Sequence, residues 1–359
     1  MDLAIFNDLW LSTLSARREE IMNNTVNREC QTMMYLEQNP IYEDGEYIEV
    51  KFRKDKMPTG SYEGSEARPT ESPPLYVGGK IDWKENDVTV SIEERDLVKN
   101  IGMNIRQLCD MRSLSRLPRG HRNTMFNLLQ GYIEAALMDF KEERSRQIML
   151  SNGYNSETGN YTDIEGFGVF MQKGESYALL DPADSRIGRF DAESITTGEK
   201  DYIWDIRQLD LENKREVTQL DFTNLGSDAR AYGPVGKIFV ACSSRHYNAL
   251  EYSFEGDKTS RNATAVRMGF ARNMYIDRLD ITIYEETFLK GAAENTMYGW
   301  MPRHVRLVKN KALDMEFSGV MPQIDRNKVV FRYKTMSNIR NSWRAGCFRI
   351  INALPGDNF

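Results

Sequence analysis

One helical pattern, longer than any other in the chain, most constrains what this sequence can fold into. From Arg119 to about Asn152 the apolar residues Phe126, Leu129, Tyr132, Ile133, Leu137 and Phe140 recur three and four apart, the spacing that lines one side of an α-helix. The run Lys141-Glu142-Glu143-Arg144-Ser145-Arg146 continues the pattern with alternating charge, on a solvated or inter-subunit face. Pro118 stands just before the start, and Gly153 stands where a capping glycine ends a helix. Such a rod spans roughly 45–50 Å at 1.5 Å per residue, beyond the average globular helix, and predicts a spine for the body. Gly131 in its middle costs about 1 kcal/mol against alanine and predicts a bend or a close crossing.

Two period-two patterns precede the rod. Tyr47-Ile48-Glu49-Val50-Lys51-Phe52-Arg53 and Asp87-Val88-Thr89-Val90-Ser91-Ile92-Glu93 alternate apolar with polar residues, as strands with one dry face do. Lys54 to Pro74, between them, is dominated by Pro, Gly, Ser and charge, and cannot bury enough apolar surface to order itself. A loop of that length within a compact domain is usually functional or a linker. We read the two strands and this segment as one long hairpin projecting from the body, with a disordered insertion as the alternative. Ordering a chain costs about 1–2 kcal/mol per residue, which a projection recovers only by lying on a neighbouring molecule. The amphipathic stretch Leu3–Asn24, with Leu3, Phe6, Leu9, Trp10 and Leu14 on one face, is either a first core helix or an arm on a neighbour.

Beyond Gly153 the texture changes. Gly166, Gly168, Gly174, Gly188 and Gly198 punctuate short apolar pieces. A helix is expected over Arg207–Leu225, a strand over Lys237–Ala241, and a serine-capped helix after Cys242-Ser243-Ser244. Further strand patterns lie at Tyr275–Tyr284, His304–Val308, Lys328–Lys334 and Cys347–Asn352. The class is mixed α+β without repeats or regular βαβ alternation, which argues against a doubly wound nucleotide-binding fold. A net charge of -6 is the wrong sign for a protein that grips phosphates by displacing counterions. No apolar run nears the roughly 20 residues of a membrane span, and the acid at Asp2 sits where a signal peptide would be basic, so a soluble chain is expected. Cys30, Cys109, Cys242 and Cys347 are scattered and read as reduced, packed thiols.

Chemistry has few footholds. His121, His246 and His304 lack a second ligand at helical spacing, so no metal site is expected. Cys242-Ser243-Ser244-Arg245-His246 puts nucleophiles beside an imidazole at a strand-to-helix turn, yet lacks the flanking glycines of a nucleophile elbow. Val77-Gly78-Gly79-Lys80 falls short of a phosphate loop and reads as a turn. Asp201, Asp205, Asp210 and Asp221 space like the wet side of an amphipathic segment. The tryptophans and tyrosines scatter instead of forming a stacking platform for single strands. No enzyme activity and no cofactor are predicted.

The order of elements, together with two local stretches, resembles the major capsid proteins of tailed bacteriophages, a fold shared with herpesvirus capsids. His121–Asn152, followed by a short loop and Gly166-Phe167, is similar to that family's spine helix ending in a Gly-Leu/Phe pair. Ser342-Trp343-Arg344-Ala345-Gly346-Cys347-Phe348-Arg349-Ile350-Ile351-Asn352 is similar to the Asp-Trp-Arg…Arg-Ile-x-Asn strand of one capsid branch, with Ser342 in place of Asp. The resemblance spans nearly the whole chain in architecture. It implies an N-terminal arm over residues 1–46, an extended hairpin loop over 47–95, a peripheral domain with the spine helix over 96–160, an axial domain over 161–305, and strands returning to the peripheral domain over 306–359.

It further implies a self-assembling shell subunit, forming pentamers and hexamers of an icosahedral head around double-stranded DNA. Procapsid maturation, weak non-specific contact with the packaged DNA, and scaffolding, portal and decoration proteins as partners go with that reading. So do assembly in the host cytoplasm, residence in the virion, and no membrane contact. The residues expected at subunit interfaces are Phe6, Trp10, Lys54, Lys56, Tyr62, Arg68, Tyr76, Trp83, Glu142, Arg144 and Arg146. Two other readings stand beside it: another virion structural protein, of the tail or a decoration, and a hydrolase using Cys242 or His246.

Overall fold

The structure is a computed structural model, and the residues described are 30–53, 76–95, 98, 119–155, 159–180, 206–231, 236–254, 273–276, 280–323 and 327–354. The expected arm Leu3–Asn24 and the segment Lys54–Pro74 lie outside them. Numbered along the chain, the helices are α1 (Gln31–Gln38), α2 (Arg119–Leu150), α3 (Phe167–Phe170), α4 (Gln219–Ala231) and α5 (Ser244–Phe254). The strands are β1 (Ile41–Glu43), β2 (Ile48–Arg53), β3 (Tyr76–Ile81), β4 (Lys84–Glu93), β5 (Arg207–Asp210), β6 (Ile238–Cys242) and β7 (Asn273–Ile276). They continue with β8 (Ile281–Glu285), β9 (Met297–Trp300), β10 (Val305–Asn310), β11 (Glu316–Gln323), β12 (Lys328–Asn341) and β13 (Phe348–Ile351).

The long helix forms as its periodicity requires. α2 runs for 32 residues, with Ile133, Leu137, Ile148 and Met149 buried along it. Beyond its end Gly153 takes φ +83°, a left-handed conformation that turns the chain out of the helix. Gly131 makes no close crossing: a Cβ there would meet nothing within 4 Å. The tight approach is at Gly166, where a Cβ would lie 2.3 Å from the Gln147 carbonyl oxygen and 2.5 Å from that of Ile148. Only glycine lets the returning chain lie directly on the last turn of α2.

A first sheet is organised by β12, whose 14 residues far exceed the usual five or six. Ser337 faces Lys84 of β4 across one edge and Lys309 of β10 across the other. β4 therefore lines one side of β12, while β11 and β10 follow each other along the opposite side. β1 adds to β10 in parallel.

This pairing corrects the expected hairpin. β2 pairs with β3, from Ile48 opposite Ile81 to Arg53 opposite Tyr76, and the strand expected to return the hairpin belongs instead to β4, paired with β12 over ten rungs. The reason lies at Gly79. Its absent Cβ admits Ala178, whose carbonyl accepts the Lys80 N–H at 3.0 Å, so Val77-Gly78-Gly79-Lys80 is strand and not turn.

The second sheet has the order β5-β13-β9-β6-β8-β7, mixed parallel and antiparallel. Here Arg207–Asp210 is a strand, parallel to β13, where a helix was expected. The helix begins only at Gln219, where Asp221 caps its start: the Thr218 N–H and the Thr218 hydroxyl both donate to Asp221 Oδ2, each at 2.9 Å. The expected strand Tyr275–Tyr284 is two strands, turned at Asp280 with φ +48°.

Both faces of the central strands β6, β8 and β9 are sealed, which is why these strands read as near-continuous apolar runs, whereas the edge strand β5 alternates half-buried with exposed residues. Ile238, Val240 and Cys242 join a core with α4 and α5, while Ala241, Tyr284, Tyr298 and Trp300 face a second core shared with Leu307 and Ile339 of the first sheet. Phe167 and Phe170 of α3 fill that shared core, Phe167 edge-on to Trp300 at 5.8 Å.

Candidate assembly surfaces

The residues expected at interfaces divide into three sets. Phe6, Trp10, Lys54, Lys56, Tyr62 and Arg68 lie outside the described residues. Tyr76 opens β3, and half-buried Trp83 follows it, its Nε1 donating to the Gly45 carbonyl at 2.9 Å and its ring packed on the shared core. Trp83 thus pins the base of the hairpin to its own body. On α2, Glu142 and Arg146 are exposed, Arg146 bonded to Glu143 one turn earlier at 2.8 Å. Arg144 corrects the expectation. It is 3% exposed, points at β12, and donates to Ser337 Oγ at 2.5 Å, so its charge stays inside the subunit. Burial lowers its pKa, against the opposing pull of Glu37 and Asp314.

Beside the hairpin base lies an open groove of about 960 Å³. Tyr42 and Tyr47 offer aromatic surface there, and Glu43, Asp44, Glu46 and Glu49 outnumber the cations Lys51, Lys311 and Arg340. Much of that charge is matched locally: Arg340 reaches Glu43 at 2.5 Å, Lys311 reaches Asp44 at 3.0 Å and Lys51 reaches Glu49 at 3.3 Å.

Behind these surfaces, buried polar side chains fasten the connecting segments to the sheets. Arg344, 1% exposed, donates to the carbonyls of Phe170 at 3.0 Å and Glu175 at 2.7 Å, and also to that of Gln172. One guanidinium thereby shapes the whole bend after α3, as its fixed fork of donors allows. Asn338 in β12 accepts the Glu165 N–H at 3.2 Å and donates to the Asp82 carbonyl at 2.9 Å. Glu286, just past β8, accepts the Thr32 N–H at 3.1 Å and the Thr32 hydroxyl at 2.8 Å, fastening the start of α1. Burial raises its carboxyl to about 7, against the lowering effect of those donors.

The candidate catalytic groups are spent on structure. Ser243 caps α5 and meets His246 Nδ1 at 2.9 Å, while His246 Nε2 lies 3.3 Å from the Ala353 carbonyl. Burial lowers the His246 pKa, and burial with Glu285 and Glu286 nearby drives the Cys242 thiol far up, away from the thiolate a nucleophile needs. Cys242 Sγ instead donates to the Tyr284 carbonyl at 3.4 Å. His304 is held down to about 4 by burial and by Arg303 and Arg306. Asp210 accepts from Asn352 at 2.9 Å, and Asp221 from Arg215 at 2.6 and 2.7 Å.

No family model and no curated relative matches the sequence. Solved structures do match in fold. The capsid protein of cyanophage A-1(L) superposes with a TM-score of 0.60 at 9% identity, over 92% of this chain and 95% of its own. The capsid of a native GTA particle gives 0.52 at 10% identity, over 92% and 94%. The chain has the phage capsid fold. The SrpI encapsulin of Synechococcus elongatus shares it, with a TM-score of 0.50 at 8% identity over 88% of this chain and 84% of that one.

Within the capsid fold, the sequence pointed to the stretch around Trp343-Arg344 but assigned Arg344 no part in it. Glu286 and Asn338 had no signal at all. A lone acid beside a strand reads as solvent-facing, and only the tertiary fold turns it inward.

Proposed function

We propose that this chain is the major shell subunit of a tailed bacteriophage. Copies assemble as pentamers and hexamers into an icosahedral head in the host cytoplasm, and the head encloses double-stranded DNA in the virion. The observation that carries this reading is coverage: one capsid protein of known structure accounts for 92% of the chain, leaving no room among the matched residues for a separate enzymatic domain. In this reading α2 is the spine of a peripheral domain and the β5-β13-β9-β6-β8-β7 sheet is the axial domain, which takes in β13 from the segment expected to return to the peripheral domain. Lys54–Pro74 forms the tip of an extended loop laid on a neighbour, and Glu142 with Arg146 faces an adjacent copy. The net charge of -6 suits a wall that touches packaged DNA weakly, without sticking to it during assembly. Scaffolding, portal and decoration proteins are the partners such a head requires. The chain carries no enzymatic step in this reading.

A second reading comes from the encapsulin match: a shell of the same fold that encloses something other than DNA. One experiment separates them. The chain is expressed alone and with neighbouring gene products and viewed by negative stain, where closed particles tens of nanometres across are expected. Nuclease-protected double-stranded DNA inside particles from infected cells supports the head, and protein cargo without DNA supports the compartment. A strictly monomeric product under every condition overturns both. Deleting 54–74 is expected to leave a folded subunit that no longer assembles.

A further inference from the structure

After α3, packed against β3, the chain makes a turn that ordinary surface economy does not explain. Tyr177 and Leu180 exchange both backbone hydrogen bonds, each at 3.0 Å, so the turn has two central residues. Those are Ala178 at φ +54° and Leu179 at φ +60°. A two-residue turn with both centres left-handed is the place for Asn-Gly or Gly-Gly, because a Cβ clashes with the backbone there. This chain puts Ala and Leu there, and the leucine is 79% exposed.

The turn is held rigidly from below. Ala178 offers its carbonyl to the Lys80 N–H at 3.0 Å and lies in the space left by Gly79, where a Cβ would stand 2.7 Å from that carbonyl oxygen. The buried Tyr177 hydroxyl accepts the Asn341 N–H at 2.7 Å, and Leu180 is buried. Arg344 fixes the stretch leading in, through the carbonyls of Gln172 and Glu175. Leu220 makes the contrast. It is 65% exposed, but on the regular backbone of α4, and single apolar side chains of that kind are common on any surface. Strained backbone persists where surrounding structure over-determines it and clusters where a side chain must be presented.

We infer that Leu179 is a preset anchor that seats in an apolar recess of an adjacent copy of this chain. The inference rests on the shell reading. An aliphatic side chain offers nothing to phosphates, and a single leucine is too little for a membrane surface. An adjacent copy is the surface that every subunit of a closed shell is certain to meet. A knob fixed in place loses little freedom on docking, which is the advantage of holding it in a strained turn.

The test compares Leu179→Asn and Leu179→Gly, residues this turn favours, with the control Leu220→Asn. Both Leu179 variants are expected to melt at or above the parent temperature, yet to need about tenfold more subunit for assembly, the effect of losing one buried aliphatic contact. Leu220→Asn should assemble as the parent does. A photo-crosslinking benzoylphenylalanine at position 179 should bond covalently to a second chain in assembled material. If the parent forms shells and the Leu179 variants form them at the same concentration, or the crosslinks stay within one chain, the anchor is overturned while the shell stands. If the parent never associates, the shell reading falls and the anchor with it.

Discussion

The two sheets handle their surfaces differently. In the β5–β13 sheet adjacent residues are buried on opposite faces: Val240 and Ala241 of β6 are both 0% exposed, one toward α4 and α5, the other toward the shared core. In the sheet built on β12, β4 alternates, with Val90 and Ile92 buried and Thr89, Ser91 and Glu93 exposed. The first arrangement closes on itself and has its packing within one molecule. The second leaves one face of β4 and its polar side chains for whatever lies outside, while Val305, Leu307, Val308 and Ile339 join it to the shared apolar core and a few buried polar links add to that mooring. A subunit that must be stable alone and also adaptable to neighbours divides those tasks between its sheets.

Substitution tests that contrast most directly. Val240→Asp and Ala241→Asp should each abolish soluble expression, because an unpaired charge in either core costs several kcal/mol. In β4 the buried Ile92→Asp should do so, while Ser91→Asp should move the urea midpoint by less than about 0.5 kcal/mol equivalent. Equal damage at Ser91 and Ile92 would break the comparison. Next in size, Arg344→Met strands the carbonyls of Phe170, Gln172 and Glu175, and should lower stability by roughly 2–4 kcal/mol in urea titration.

Glu286→Gln tests the mooring by pH. In the unfolded chain this carboxyl titrates near ~4.3. In the fold it titrates near 7. The folded protein therefore holds the proton more tightly, and this group's contribution is full below the unfolded value and lost as pH rises through about 7. The variant should match the parent at pH 4 and exceed it at pH 8, by up to about 4 kcal/mol, flattening the stability profile between. A parent profile already flat from pH 4 to 8 would remove Glu286 from this role. Smallest of all, the Glu143–Arg146 pair, about half exposed on both sides, should contribute less than about 0.5 kcal/mol in a double-mutant cycle.

Much of the scaffold was legible because periodicity is local. The stripe on α2 and the alternation in β2, β4 and β12 depend only on neighbours in sequence, and each formed where its pattern lay. Pairing is not local. Nothing in Tyr76-Val77-Gly78-Gly79-Lys80 announces a strand, since its two glycines suppress the signal, and the close approach of Ala178 that makes them necessary lies about a hundred residues on. Arg207–Asp210 failed for a related reason: four residues held by parallel pairing to β13 carry too little pattern to outvote the helical stretch that follows. Among the expected interface residues, Glu142 and Arg146 face outward, and the same helical wheel turns Arg144, about 200° from each, inward; what sequence could not supply is its partner, a hydroxyl on a strand distant in the chain.

The ten-rung pairing of β4 with β12 also has a mechanical side. Two residues, Asp82 and Trp83, join the hairpin to β4, so a tug on the hairpin base reaches the body through a very short tether. Pulled lengthwise, the ladder is loaded in shear, and its rungs resist together instead of parting one after another. The hairpin is thus less a flap than a lever mounted on the longest ladder among the described strands.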